Sequence, residues 1–127
     1  MDFKWLLLCI SILTQLALSG CAEEEYQQEV EAQLRAMRAE IESMVGVPTC
    51  SDIADCAYIA FGSKPCGGPW TYLIYSRATI DPDVLAARIR EYNDLEDRYN
   101  HRFAVVSDCS VAAEPRLTCA NGVCVGR

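Results

Sequence analysis

Residues 56–75 read CAYIAFGSKPCGGPWTYLIY, and this stretch decides the fold of the chain around it. The runs at 56–61 and 70–75 are short, apolar and rich in aromatic and β-branched residues, which is typical of β-strands. Between them, residues 62–69 include three glycines and two prolines and form the densest turn signal in the chain. Two strands joined by such a segment predict an antiparallel hairpin with a long loop at its tip.

A helix is predicted directly after this hairpin, from Asp81 to about Asn100. Asp81 is a good N-cap, and Pro82 suits the first helical position because that position needs no amide hydrogen. Glu96 and Asp97 are expected on the solvated side of the helix. Its apolar face, which would pack on the sheet, recurs at helical spacing and comprises Leu85, Ile89, Tyr92, Leu95 and Tyr99.

Strand signals return beyond that helix. Residues 103–107 predict a third strand, and residues 117–125 predict a second hairpin. The second hairpin turns at Asn121-Gly122, the favoured pair for a two-residue type I′ turn, and this places Cys119 opposite Cys124. The sequence therefore predicts an α+β fold, with a small disulfide-bonded antiparallel sheet in ββαββ order and one packed helix.

The region before the first hairpin has a helical pattern. Residues 22–45 predict one long amphipathic helix with mostly acidic residues on its polar faces, and Gly46 and Pro48 would end it. Its apolar row covers barely two heptads, so packing on the following domain, or a spacer role, is favoured over a coiled coil. The row comprises Val30, Leu34, Met37, Ile41 and Met44.

The N-terminus has the pattern of an export signal. Lys4 precedes an apolar run at 5–18, which is shorter than the roughly 20 residues that a membrane-spanning helix needs. Leu18-Ser19-Gly20-Cys21 then matches all four positions of a lipobox, so the chain resembles bacterial lipoproteins. The resemblance implies cleavage before Cys21, a diacylglycerol on its sulfur and, because Ala22 follows, localisation to the outer membrane.

Three regions are expected on this basis. Residues 1–20 would be the signal peptide, residues 21–46 the lipidated N-terminus with its acidic helix, and residues 47–127 a small disulfide-rich α+β domain. The last region also resembles uncharacterised small cysteine-rich bacterial lipoproteins through its Lys-Pro-Cys-Gly-Gly-Pro-Trp segment at 64–70. That second resemblance implies no particular activity.

The cysteines of the domain predict three disulfides. Of the eight cysteines, Cys9 lies in the signal and Cys21 would carry lipid, and an even number in an exported domain is typical of disulfide bonding. The pairing stays open: Cys119–Cys124 is sterically possible, whereas a bridge such as Cys66–Cys109 would close a longer loop and stabilise more. The predicted disulfide residues are Cys50, Cys56, Cys66, Cys109, Cys119 and Cys124.

Charge and composition exclude several kinds of partner. The formal net charge is −7 and stays so when Asp2 and Lys4 leave with the signal, so nucleic acid is not an expected partner. Membrane contact is expected through the lipid alone. No metal site or cofactor is predicted, because the chain has no Cys-x2-Cys pair and His101 is its only histidine.

The loop of the first hairpin is the strongest candidate for a binding site. Its prolines and glycines restrict the backbone, and Lys64, the only lysine after the signal, is expected to be exposed. Rigid loops on small scaffolds often carry recognition. The predicted binding residues are Lys64, Pro65, Gly67, Gly68 and Trp70.

No motif predicts catalysis, so no catalytic residue is assigned. His101 could form an acid–base pair with Asp97 or Asp108, but a cation at a helix C-terminus is favoured by the helix dipole, and this structural role is preferred. The leading hypothesis is a non-enzymatic envelope lipoprotein that binds a protein or ligand through the loop. The alternatives are an inhibitor of lysozyme or a protease using Lys64, a small hydrolase using His101, and a structural spacer.

Overall fold

The computed structural model describes the backbone of residues 3–127 and the side chains of residue 20 and residues 22–127. The predicted lipidation residue, Cys21, and almost all of the predicted signal peptide therefore lie outside the described side chains. The chain divides into two compact units, Met1–Gln33 and Leu34–Arg127, and the boundary falls within helix α1 (Phe3–Val45). Across the described chain, no helix combines the length and apolar character needed to cross a membrane.

The described chain has an α+β fold with two helices, two small antiparallel sheets and three disulfides, which confirms the predicted fold class. The prediction of a single sheet is wrong, because each hairpin forms its own two-stranded sheet. After α1 the elements are a 3₁₀ turn (Ile53–Asp55), β1 (Cys56–Phe61), β2 (Thr71–Ser76), α2 (Pro82–Arg102), β3 (Leu117–Ala120) and β4 (Val123–Gly126).

The first sheet is the predicted hairpin at 56–75. β1 and β2 pair in antiparallel register, with Cys56 opposite Ser76 and Phe61 opposite Thr71. Phe61 is fully buried, and its ring lies 4.7 Å from the ring of Tyr92 on α2. The hairpin thus packs on α2 through its last residue before the loop, which places the loop beside the helix.

Helix α2 begins and ends with recognisable caps. The Asp81 side chain accepts hydrogen bonds from two amides of the first turn. At the other end, the Val105 amide donates to the Asn100 carbonyl at 3.0 Å while Ala104 has φ of 48°, which is a Schellman-type ending. The predicted strand at 103–107 is wrong because this cap turns the backbone and uses amides that a strand would need; residues 105–116 are irregular.

The second sheet is the C-terminal hairpin, with Cys119 opposite Cys124 as the Asn121-Gly122 turn predicted. These two cysteines bond elsewhere: Cys119 to Cys50 and Cys124 to Cys56. The amide of Cys50 also donates to the Gly122 carbonyl at 2.8 Å, and the Cys124 amide donates to the carbonyl of residue 48 at 2.8 Å. Residues 48–50 occupy the outer side of β4, and the hairpin is joined to β1 by the Cys56–Cys124 disulfide.

The part of α1 from Leu34 onward contributes to the core of the 34–127 unit. Leu34, Met37 and Ile41 are buried there, as are the α2 side chains Leu85 and Ile89. Each such apolar side chain contributes about 1.5–3 kcal/mol when fully buried. The last turns of α1 therefore belong to the domain that carries the loop.

Candidate functional site

The loop between β1 and β2, residues 62–70, is the candidate site and is called the 62–70 loop below. It starts at Gly62, which has φ of +87°. A Cβ atom at this residue would lie 2.5 Å from Trp70 Cδ1, a separation that real structures essentially never show. The Trp70 amide donates to the Phe61 carbonyl at 3.0 Å and closes the loop. Glycine at position 62 therefore lets the two ends of the loop meet around the Trp70 ring.

Helix α2 holds the start of the loop through a row of polar side chains. Asn93 Oδ1 accepts from the Gly62 amide at 2.8 Å, and Glu96 Oε2 accepts from the Ser63 amide at 2.6 Å. One turn later, Asn100 Nδ2 donates to the Ser63 carbonyl at 2.7 Å. Residues at these spacings share one face of a helix. The sequence prediction that Glu96 lies on a solvated face is therefore wrong, because it binds the loop backbone.

Glu96 is itself positioned by a chain of hydrogen bonds that reaches α1. Arg38 Nη2 donates to the Tyr92 hydroxyl at 3.0 Å, and that hydroxyl donates to Glu96 Oε1 at 3.0 Å. The Arg38 guanidinium carbon also lies 4.7 Å from the Phe61 ring centroid, within cation–π range. Burial is the main cause that raises the pKa of Tyr92, so this hydroxyl stays protonated and able to donate. Sequence reasoning missed this chain, although the spacing of Tyr92 and Glu96 could have suggested it.

Lys64 lies inside the site and not on its surface. Only 6% of the residue is exposed, so the expectation of an exposed lysine is wrong. Its Nζ donates to Asp108 Oδ1 at 3.0 Å, to the Ser110 carbonyl at 2.6 Å and to Ser110 Oγ at 2.9 Å. The ammonium also lies 5.1 Å from the Trp70 ring centroid. A buried ammonium needs such partners, because losing its hydration is otherwise very costly.

The hydrogen bonds around Lys64 also affect the pKa of its partner Asp108. The Lys64 hydrogen bond, followed by those of the Ser110 amide and hydroxyl, lowers the pKa of Asp108 to about 2. Asp108 is therefore ionised at neutral pH and bridges the loop to the irregular segment after α2. The disulfide between Cys66 and Cys109 joins the same two segments covalently.

The outer part of the loop is exposed although its base is held. Pro65, Gly67 and Gly68 are exposed, and so is 39% of Trp70. Within this part, the Lys64 amide donates to the Gly68 carbonyl at 2.9 Å, and the Gly67 amide donates to the Lys64 carbonyl at 2.8 Å. Of the five predicted binding residues, the structure leaves four accessible and places Lys64 beneath them.

A shallow cavity of about 250 Å³ lies beside the loop. It is lined by Pro65, Asn100, His101, Ala104 and Val105. The side chain of the exposed His101 is held by its own helix, because its Nδ1 lies 2.8 Å from the Asp97 carbonyl and donates to it. The cavity therefore combines three apolar residues with two polar ones, Asn100 and His101.

The polar groups around His101 do not form a nucleophile–base pair. Ser63 Oγ donates to Asp97 Oδ1 at 3.2 Å, and Asp97 Oδ2 lies 3.5 Å from His101 Nδ1. The carboxylate thus stands between the hydroxyl and the imidazole, whereas a catalytic serine must donate its proton to the histidine. This order suits a structural role at the end of α2.

Sulfur atoms cluster at the opposite end of the domain. The Sγ atoms of Cys50, Cys56 and Cys124 lie within 4.8 Å of one another, a spacing that could hold a metal ion if they were thiolates. All three are bonded in disulfides in this structure. The cluster is therefore a double disulfide in the oxidised protein.

Comparison with known proteins adds no relative to these observations. No protein-family model, no curated protein and no solved structure matches the chain.

Proposed function

We propose that this protein is a lipid-anchored lipoprotein of the cell envelope that binds another envelope protein through the 62–70 loop. The lipobox-like residues 18–21 and the apolar run before them support export and lipidation at Cys21, with the outer membrane as the site of anchoring. The disulfides of the domain fit a chain that matures in an oxidising compartment.

In this proposal the N-terminal helix and the disulfide-rich domain have different roles. Residues 21–46 link the lipid to the domain, with the turns from Leu34 onward packed in the domain's core, and the excess of acidic residues in this segment disfavours contact with an anionic membrane surface. The domain at 47–127, with its elements in ββαββ order, presents the loop.

The observation that carries the proposal is the partly exposed Trp70 on a loop whose backbone is held at both ends. Tryptophan is enriched among the residues that dominate binding energy at interfaces. A loop fixed at its start by Asn93, Glu96 and Asn100 and closed at its end by the Trp70 amide loses little conformational entropy when it binds, so more of the contact energy appears as affinity. Such a loop suits a protein partner that offers an apolar recess to the indole.

The alternatives receive less support from the site. An inhibitor that presents Lys64 to a protease would need to break the three hydrogen bonds of its buried ammonium. A hydrolase based on His101 would need a proton path that Asp97 interrupts. The inhibitor hypothesis survives in a form that uses Trp70 in place of Lys64.

The test is capture from solubilised envelopes by the full-length oxidised protein, compared with Trp70→Ala. The matched control is Val106→Ala, because Val106 is 86% exposed but lies outside the loop. We expect one envelope protein to be retained by the wild type and by Val106→Ala and lost with Trp70→Ala, and to bind again when purified and titrated. Equal capture by all three proteins, with near-UV circular dichroism showing each folded, would contradict a role for the loop.

A further inference from the structure

The three disulfides differ sharply in accessibility. Cys56 and Cys124 are 5% and 4% exposed, and Cys50 and Cys119 are half-buried. Cys66 and Cys109, in contrast, are both exposed. Disulfide exchange requires a thiolate to approach a sulfur atom in line with the bond, so exposure determines which bridge reacts.

The surroundings of Cys66 favour approach by an external thiolate. Gly67 and Gly68 follow it and carry no side chains, and both are exposed. A Cβ atom added to either glycine would meet no described atom within 4 Å, so open space lies on their outer side. The Cys66 sulfur therefore sits on a part of the loop with little steric shielding.

The surroundings of Cys109 favour its departure. Asp108 and Ser110, its two neighbours in the chain, both accept hydrogen bonds from Lys64 Nζ, so the ammonium is bound by the residues on either side of Cys109. Lys64 offsets the negative charge of the ionised Asp108, so a thiolate can form at Cys109 without an uncompensated carboxylate next to it, and a more stable thiolate leaves faster. Cys109 also has φ of 54°, a conformation that L residues rarely adopt.

We propose that the Cys66–Cys109 bridge is a site of thiol–disulfide exchange whose co-substrate is a dithiol, such as the reduced pair of a thiol oxidoreductase. A thiolate of the dithiol attacks Cys66 Sγ, the bond to Cys109 breaks, and Cys109 leaves as a thiolate. The second thiol of the co-substrate, as its thiolate, then displaces Cys66, so two electrons pass to the bridge and the co-substrate becomes a disulfide. This inference does not depend on the loop binding a partner protein.

The first test uses the oxidised full-length protein with dithiothreitol. Samples are quenched with acid over time, free thiols are alkylated, and peptides are identified by mass spectrometry. We expect Cys66 and Cys109 to be labelled at least about tenfold faster than the other four cysteines of the domain, because their bridge is the exposed one. Equal or faster labelling of Cys50 with Cys119, or of Cys56 with Cys124, would overturn the proposal.

The second test asks which sulfur is attacked. Limiting glutathione, a monothiol, should trap a mixed disulfide on Cys66 in preference to Cys109, and a preference for Cys109 would refute the assigned direction. Lys64→Met should reduce the preference, whereas Arg116→Met, which removes an exposed cation elsewhere, should leave it unchanged. If Lys64→Met does not fold, the position of the mixed disulfide in the wild type still decides the direction.

Discussion

The two ends of the domain are held by different means. At one end, the C-terminal hairpin follows its own strand register, lies against residues 48–50 and is joined to the rest by two disulfides. At the other end, the 62–70 loop takes its shape from α2 side chains, a buried lysine and one exposed disulfide. The hairpin is thus secured mainly by covalent bonds and backbone pairing, and the loop mainly by polar side chains.

This difference indicates where change is tolerated. Two bridges and a backbone ladder restrict the hairpin to one arrangement, so it acts as a fixed base for the domain. The loop depends on hydrogen bonds that each contribute about 1 kcal/mol, and on a bridge that external thiols can reach. A binding or reactive site is expected at the end of the domain that can change its structure, and that end carries the 62–70 loop.

The largest expected effect is at the fixed end. Replacing Cys56 and Cys124 with alanine removes a bridge across 68 residues, and we expect a loss of about 4 kcal/mol in the free energy of unfolding. Guanidinium denaturation of the oxidised wild type and variant measures this difference in the free energy of unfolding. The matched variant replaces Cys66 and Cys109, whose separation of 43 residues gives a similar loss of chain entropy but which are exposed residues. If that variant loses more than the first, the loop end and not the hairpin end is the fixed base.

The next largest loss of stability is expected at Gly62, where a steric contact with Trp70 adds to the strain of a positive φ. Gly62→Ala places a methyl group against Trp70 at positive φ, and we expect a loss of about 2–3 kcal/mol. Gly67→Ala is the control, since Gly67 has φ of +93° while a Cβ there meets no described atom within 4 Å, and it should cost about 1 kcal/mol. Urea titration with Trp70 fluorescence measures both. Equal losses would mean that contact between Gly62 and Trp70 does not define the loop.

The sequence predicts the turns of this domain but not the contacts between residues that are distant in the chain. The glycines and prolines of residues 62–69 marked a loop, and Asn121-Gly122 predicted the register of the second hairpin, because turn chemistry is local. The partners of the loop backbone, Asn93 and Glu96, lie more than thirty residues further along the chain. In the sequence, a carboxylate on an amphipathic helix has the same pattern whether water or a backbone amide binds it, so the pattern wrongly predicts that Glu96 faces solvent.

The same limit explains the remaining differences. Lys64 was expected at the surface because lysine is almost never buried without a partner, and that partner, Asp108, is a distant residue in an irregular segment. Residues 103–107 have strand composition, but the end of α2 turns the chain through Ala104. The disulfide pairing depended on which elements meet in space, which no spacing of cysteines reveals.

The smallest expected effect is a pH dependence confined to the loop end. The folded-state pKa of Asp108 is about 2, below its ordinary value of 3.8, because Lys64 and Ser110 bind the carboxylate. Acid therefore protonates this group in the unfolded chain before the folded one. Its contribution to stability is complete above pH 3.8 and is lost as the pH falls through about 2. Thermal unfolding between pH 5 and about 2 measures this loss.

The comparison needed for that measurement is Asp108→Asn, which keeps the shape of the side chain and cannot ionise. The difference in melting temperature between wild type and Asp108→Asn should shrink as the pH falls toward 2, whereas Asp94→Asn, an exposed carboxylate on α2, controls for net charge. A constant difference would mean that Asp108 acts through shape alone. A shrinking difference would show that the Lys64–Asp108 ion pair holds the loop to residues 108–110. This non-covalent contact would then keep the two segments together when the Cys66–Cys109 disulfide is reduced.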